Sequence, residues 1–183
     1  AVTHIQGLEN WRAQIGNYSF LSGHVRYAVF KKAAGDAPFR YVTFLREPVA
    51  QLRSHINWLK IQTTDPKHAA FARSNPRIER LSGALQAVNL SDADSIAAGL
   101  AKVVTDADYA NLLENCQCRY FIRPLRGDPF DMDAFRRTIA HFSAFDFVGI
   151  SEQFSDSMAA LEKTLGLTFS SKAVFENTQD YDR

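Results

Sequence analysis

Proline 48 is the residue that most restricts how this chain can fold. It follows Tyr41-Val42-Thr43-Phe44-Leu45, a short run of β-branched and aromatic residues without charge, which suits a strand covered on both faces. A proline has no N–H to give a strand ladder, yet its fixed φ fits the first turn of a helix. The chain is therefore predicted to pass from strand to helix at Arg46-Glu47. Beyond it Val49, Leu52, Ile56 and Leu59 recur at helical spacing and form one apolar stripe, for a helix reaching about residue 61. At about 100° per residue, Ser54 falls away from that stripe, near Trp58. A strand's carboxyl end beside a helix N-terminus is where open α/β sheets hold phosphates, and Arg46 stands at that corner.

The same reasoning divides the rest of the chain. Ile5, Leu8, Trp11 and Ile15 predict a helix stopped at Gly16-Asn17, and Tyr18, Phe20 and Leu21 a short strand leading to Gly23-His24. Lys31 to Pro38 reads as a polar turn, and Pro66 and Pro76 bracket two short helices. Ser91-Asp-Ala-Asp94 predicts a helix start with acidic residues in its first turn, and the helix runs through about Val104. Another begins at Asp106, with Leu112 and Leu113 inward. Asp131 caps a helix through about Phe142, residues 145–150 form a buried strand, and Ser151-Glu152 opens a helix that ends at Gly166.

Composition narrows the class. A chain of 183 residues, 46% hydrophobic, is long enough for a single domain with a sizeable core over residues 1–183. No stretch reaches the ~20 apolar residues of a membrane span. The net charge of +1 hides an asymmetry: residues 1–80 carry 12 Lys and Arg against 5 Asp and Glu (+7), and residues 81–183 carry 9 against 15 (−6). A basic half suits an anionic ligand, and Arg26, Lys31, Arg46 and Arg53 are the cations to seek in one cleft. Cys116 and Cys118 are too few for a structural zinc site. As neighbours on one face of a strand they are poorly placed for a disulfide, so both read as buried thiols. Such sparse cysteine usage favours a reducing, cytoplasmic setting.

Four segments carry a resemblance. Leu45-Arg46-Glu47-Pro48-Val49, with Ser54 eight residues after the arginine, is similar to the 3′-phosphate-binding motif of sulfotransferases, Arg-Asp-Pro followed by a serine. Phe20-Leu21-Ser22-Gly23-His24-Val25-Arg26-Tyr27 resembles the Gly-His-Val-x-Tyr segment of the glycan 2-O-sulfotransferases and their bacterial relatives. Phe147-Val148-Gly149-Ile150-Ser151-Glu152-Gln153-Phe154 resembles that branch's Val-Gly-Leu-Thr-Glu-x-Phe segment. Asn115-Cys116-Gln117-Cys118-Arg119 is similar to its Asn-x-Gln-x-Arg segment, whose role is structural or acceptor-facing. Two departures stand out: Glu47 replaces the usual Asp, and Gln51 occupies a position where many members have a second arginine.

The resemblance implies an α/β fold, a three-layer P-loop-like domain with a central, mostly parallel sheet flanked by helices. It implies a sulfotransferase that moves a sulfuryl group from 3′-phosphoadenylyl sulfate to an acceptor hydroxyl, preferably on a carbohydrate, and releases adenosine 3′,5′-bisphosphate. His24 would be the general base, and Arg46 and Ser54 would hold the donor's 3′-phosphate. Neither metal nor nucleic acid is expected, and a bacterial cytoplasm is favoured over the Golgi lumen. The family's Pro-Lys-x-Gly-x-Thr loop, which cradles the 5′-phosphate, has no counterpart in the sequence. Either the first strand and loop belong to a longer parent, with the domain incomplete at both ends, or they have been lost; the motif order favours the first. The alternatives are a non-catalytic module of the same fold that binds a nucleotide or a sulfated glycan, and a nucleotide kinase. The kinase should show a Gly-x-x-x-x-Gly-Lys loop, and none is present.

Overall fold

The computed structural model describes residues 26–105, 112–122 and 130–169. The expected helix at residues 5–15, the strand at 18–21, His24 and the helix start at Asp106 lie outside the described residues. In chain order the elements are α1 (Tyr27–Ala34), β1 (Val42–Leu45), α2 (Pro48–Thr64), α3 (Pro66–Arg73), α4 (Pro76–Leu85) and α5 (Ala93–Val103). They continue with α6 (Cys116–Phe121), α7 (Met132–Phe142), β2 (Phe147–Ile150), a 3₁₀ turn (Ser151–Gln153) and α8 (Phe154–Leu165). The chain is α/β with helices predominating.

β1 and β2 pair in parallel, with Val42 opposite Phe147 and Leu45 opposite Ile150. Among the described residues the sheet has these two strands, fewer than the central sheet that the resemblance implies. Nor are the strands covered on both faces. All four residues of β1 are half-buried, and Val148 and Ile150 of β2 stay 37% and 41% exposed. Their alternation leaves Gly149 inward, under the ring of its partner Phe44. A Cβ on Gly149 would stand 2.6 Å from that ring, so glycine is required by the close approach.

Local chemistry starts and stops the helices largely as the sequence predicts. Glu47 caps α2, its carboxylate accepting from the N–H groups of Val49 and Ala50. Asp65 caps α3, Asp92 caps α5 and Asp131 caps α7, while Gly166, left-handed at φ 65°, ends α8. Three readings need correction. The polar turn expected from Lys31 starts later, because α1 runs on to Ala34 and stops at Gly35 with φ 60°. Val49 belongs to the predicted apolar stripe but is 51% exposed, since the first turn of α2 projects beyond the packed part of the helix. Cys116 and Cys118 are on a helix rather than a strand. The chain turns through Asn115 in the left-handed region (φ 46°) and then coils; Cys116 is buried, Cys118 only half-buried.

The apolar interior lies among α2, α3, α4 and α5. Ile56 and Leu59 meet Ala72, Ile78, Leu81, Leu85, Val88, Ile96 and Val103, all almost wholly buried. A second cluster, built of rings, joins the strands to α1, α6 and α7. Tyr27 contacts Tyr41 and Phe145 edge-on or tilted, with ring centroids 5.3 and 4.8 Å away, and Phe121 contacts Phe142 at 4.8 Å. Among the described residues no helix is long and apolar enough to cross a membrane.

Candidate functional site

Both parallel strands end at the same level, and in each the last backbone groups are held by one side chain. The N–H of Arg46, the residue after β1, donates to Gln117 Oε1 at 2.7 Å, and Gln117 Nε2 donates back to the Arg46 carbonyl at 2.8 Å. At the end of β2 the N–H of Ile150 donates to Ser157 Oγ at 2.9 Å, and that hydroxyl donates to the Ile150 carbonyl at 3.1 Å. Backbone groups released from a ladder must find partners elsewhere. Here the partners come from α6 and α8, so two helices fix where the strands stop. Arg46 is anchored through its backbone, and its side chain is left to interact beyond the strand.

The charges at this mouth are interleaved. The Arg46 Nε lies 3.6 Å from Glu152 Oε1, both side chains being about one-third exposed. The other oxygen of Glu152 accepts the Glu47 N–H at 3.1 Å. The Glu47 carboxyl is held below the ordinary carboxylate range, chiefly because Val49 and Ala50 donate to it and also because Arg53 is near. The Arg53 Nε is buried and has no hydrogen-bond partner among the described residues. One guanidinium group and two carboxylates therefore meet where β1 gives way to α2, with Arg53 within electrostatic range of Glu47.

This arrangement decides which groups an anion could reach. The first free N–H groups of α2 are occupied by the protein's own Glu47, so the helix N-terminus is not an open anion site of the usual kind. An anion here would be held by Arg46, and it would displace Glu152. An exposed ion pair of that sort contributes about 0–1 kcal/mol, so a phosphate dianion can compete with it.

The residues singled out in the sequence separate on this map. Arg46 lies at the carboxyl end of β1, and Ser54 is half-buried in the second turn of α2. His24 is outside the described residues. Of the four cations, Arg46 lies at the mouth, Arg53 is within electrostatic range of Glu47, and Lys31 sits over the Tyr41 ring at 5.5 Å. Arg26 precedes α1 as its N-cap residue. Gln51, at the position of a family arginine, turns instead towards α6, its amide donating to Cys116 Sγ at 3.7 Å. Arg119 is 2% exposed, pairs with Glu114 and donates from Nε to the Glu114 carbonyl at 3.0 Å, which favours the structural role for its segment.

Two contributors were not legible as such, Gln117 and Glu152. Both lie in segments that the resemblance marks, but their bonds to Arg46 and Glu47 cross 71 and 105 residues, and no local spacing reports contacts of that length. Among the described residues no group of three or more His, Cys, Asp or Glu is placed to hold a metal ion. Comparison of the chain with family models, curated proteins and solved structures returns no match.

Proposed function

We propose that this chain is a sulfotransferase domain, with Arg46 and Ser54 holding the 3′-phosphate of 3′-phosphoadenylyl sulfate and His24 taking the proton of an acceptor hydroxyl, carbohydrate being the preferred class. The reading includes the three-layer, P-loop-like architecture. What supports it is one observation: the arginine of the Arg-Glu-Pro motif is fixed through its backbone at the carboxyl end of a parallel strand pair. That is the position at which an open α/β sheet offers an anion a guanidinium without a long ordering cost.

Each residue would have a limited task. Arg46 neutralises and orients the 3′-phosphate, which is remote from sulfur, so its contribution is binding and positioning. Ser54 would add a hydroxyl donor from α2. His24 would accept the acceptor's proton as oxygen attacks sulfur in line and the bisphosphate departs, an effect of roughly 10²–10⁴ in rate for such a base. The sequence has no Pro-Lys-x-Gly-x-Thr loop for the leaving 5′-phosphate, so no residue of the sequence is assigned to that part of the reaction.

The test is calorimetric titration of adenosine 3′,5′-bisphosphate and of adenosine 5′-monophosphate into the protein and into Arg46→Ala. A preference for the bisphosphate that falls by about tenfold to a hundredfold in the variant is expected, the usual range for a charged hydrogen bond. Equal binding of both nucleotides by a folded protein, or no binding, removes the 3′-phosphate site and the sulfotransferase reading with it.

A further inference from the structure

A second set of reactive groups lies between α2 and α6, and the anion site does not use it. Cys116 opens α6 and is 7% exposed. Its sulfur receives the Gln51 amide of α2 at 3.7 Å, and His55, one turn later on the same face of that helix, interacts with the thiol electrostatically. The His55 Nδ1 is 2.8 Å from the Leu112 carbonyl. A carbonyl can only accept, so Nδ1 carries a proton and Nε2 is the nitrogen left for the thiol. Nucleophile, base and a group that orients the base thus stand in series, the order that activates a thiol in nucleophilic sites. Gln51 adds a polar N–H on the sulfur, which favours the anion over the thiol.

Electrostatics agree with the geometry. Burial pushes the Cys116 thiol up, but His55, with the donors Gln51 and the Gln117 N–H, brings it below its ordinary value. His55 is raised, first by Cys116, against the opposing effect of burial. Cys118 provides an internal contrast. It is the more exposed thiol, yet burial and the neighbouring Cys116 push it up.

We propose that Cys116 is a reactive thiol site, activated by His55 and Gln51, that takes small, uncharged disulfides by thiol–disulfide exchange. The Cys116 proton passes to His55 Nε2 and the sulfur attacks one sulfur of the disulfide. One S–S bond forms as the other breaks, and the departing thiolate recovers the proton from His55. The product is a mixed disulfide on Cys116 and one free thiol, and no further oxidant is needed. The low exposure restricts the site to slim reagents, and this chemistry stands whether or not Arg46 binds a nucleotide.

Exposure and activation predict opposite orders of reaction, which makes the proposal decidable. The probe is 4,4′-dithiodipyridine, followed by thiopyridone release, with intact mass to count the adducts. It is applied to the Cys118→Ser protein, which retains Cys116, and to the Cys116→Ser protein, which retains Cys118. At about pH 6 the Cys116 thiol is expected to react about tenfold faster than Cys118, and to lose less rate on acidification than an ordinary thiol does. His55→Gln in the Cys118→Ser background should remove that advantage while the circular dichroism spectrum is kept. The pH profile of the Cys118→Ser protein needs no change within the relay, so it decides the matter even where His55→Gln does not fold. A faster Cys118, a Cys116 that reacts only on unfolding, or a Cys116 rate with the steep acid loss of an ordinary thiol overturns the proposal.

Discussion

The helices α2 to α5 and the strand pair with its mouth are stabilised by different means. In the first region Ile56, Leu59, Leu81 and Leu85 are between 0% and 1% exposed, and even the polar side chains among them are satisfied. The Gln86 amide donates to the Lys60 carbonyl at 2.8 Å, and the buried Ser82 hydroxyl pairs with Thr63 at 2.6 Å. In the second region the strands are half-covered, the contacts are between rings, and the ends are fastened by single side chains reaching in from distant helices. The aliphatic cluster provides stability that does not depend on any one polar contact. The mouth depends on a few named bonds, and there the protein keeps charge partly solvated and able to exchange partners. A rigid neighbour thus allows a polar corner to stay open, since α2 belongs to both regions and transmits the position of one to the other.

The contrast can be broken most directly by cavities. Leu85→Ala removes a wholly buried side chain from the aliphatic cluster and should lower unfolding free energy by about 2–5 kcal/mol in urea titration. Val148→Ala, on the exposed side of β2, should change it by less than about 1 kcal/mol, because more than a third of that residue is already in solvent and no closed cavity is left behind. If the two substitutions cost the same, the division into a packed and a half-open region is wrong.

Overpacking tests the second region from the other side. Gly149→Ala places a methyl against the Phe44 and Phe147 rings and should destabilise by about 1–3 kcal/mol. Gln117→Leu, nearly isosteric, removes both bonds to the Arg46 backbone and should cost about 1–2 kcal/mol, with a loss of bisphosphate affinity if Arg46 is the anion ligand. Lost stability with unaltered affinity would show that Gln117 holds the strand end without positioning the guanidinium.

What could be read from the sequence follows the same line. The aliphatic half was legible because its signals are local: Pro48 at a helix start, Pro66 and Pro76 marking short helices that each turns out to open, Asp131 as a cap, Gly166 as a stop, and Ile56 and Leu59 one turn apart. The mouth was legible only as one arginine after a strand. Cys116–Phe121 was misread because Cys116-Gln117-Cys118-Arg119 alternates small and large side chains, and one turn and a half of helix is too short for period 3.6 to be told from period 2. The pairing of His55 with Cys116 joins α2 to a segment some sixty residues later, and it depends on the left-handed turn at Asn115, which no residue pattern announced.

Smaller effects concern the carboxylates. Glu152→Gln keeps an acceptor for the Glu47 N–H but removes the charge paired with Arg46, so if Arg46 is the anion ligand, bisphosphate affinity should rise by up to about fivefold, the worth of an exposed ion pair. Reduced affinity would mean that Glu152 orients Arg46 for the anion, and the competition described above would then be wrong.

Glu47 should give the weakest signal, and its sign follows from the cap. Its carboxyl is depressed in the folded chain by the Val49 and Ala50 donors, relative to an ordinary value of 4.5. A depressed carboxyl contributes stability above its unfolded value and loses that contribution as pH falls through the folded one. Lowering the pH from about 6 to about 3 should therefore shift the wild-type urea midpoint down more than that of Glu47→Gln, the two converging in acid. Because the carboxylate is solvent-exposed the difference will be small, but its direction is fixed. If the variant lost as much stability on acidification as the wild type, Glu47 would not be the cap, and the N–H groups of Val49 and Ala50 would be open to an anion after all.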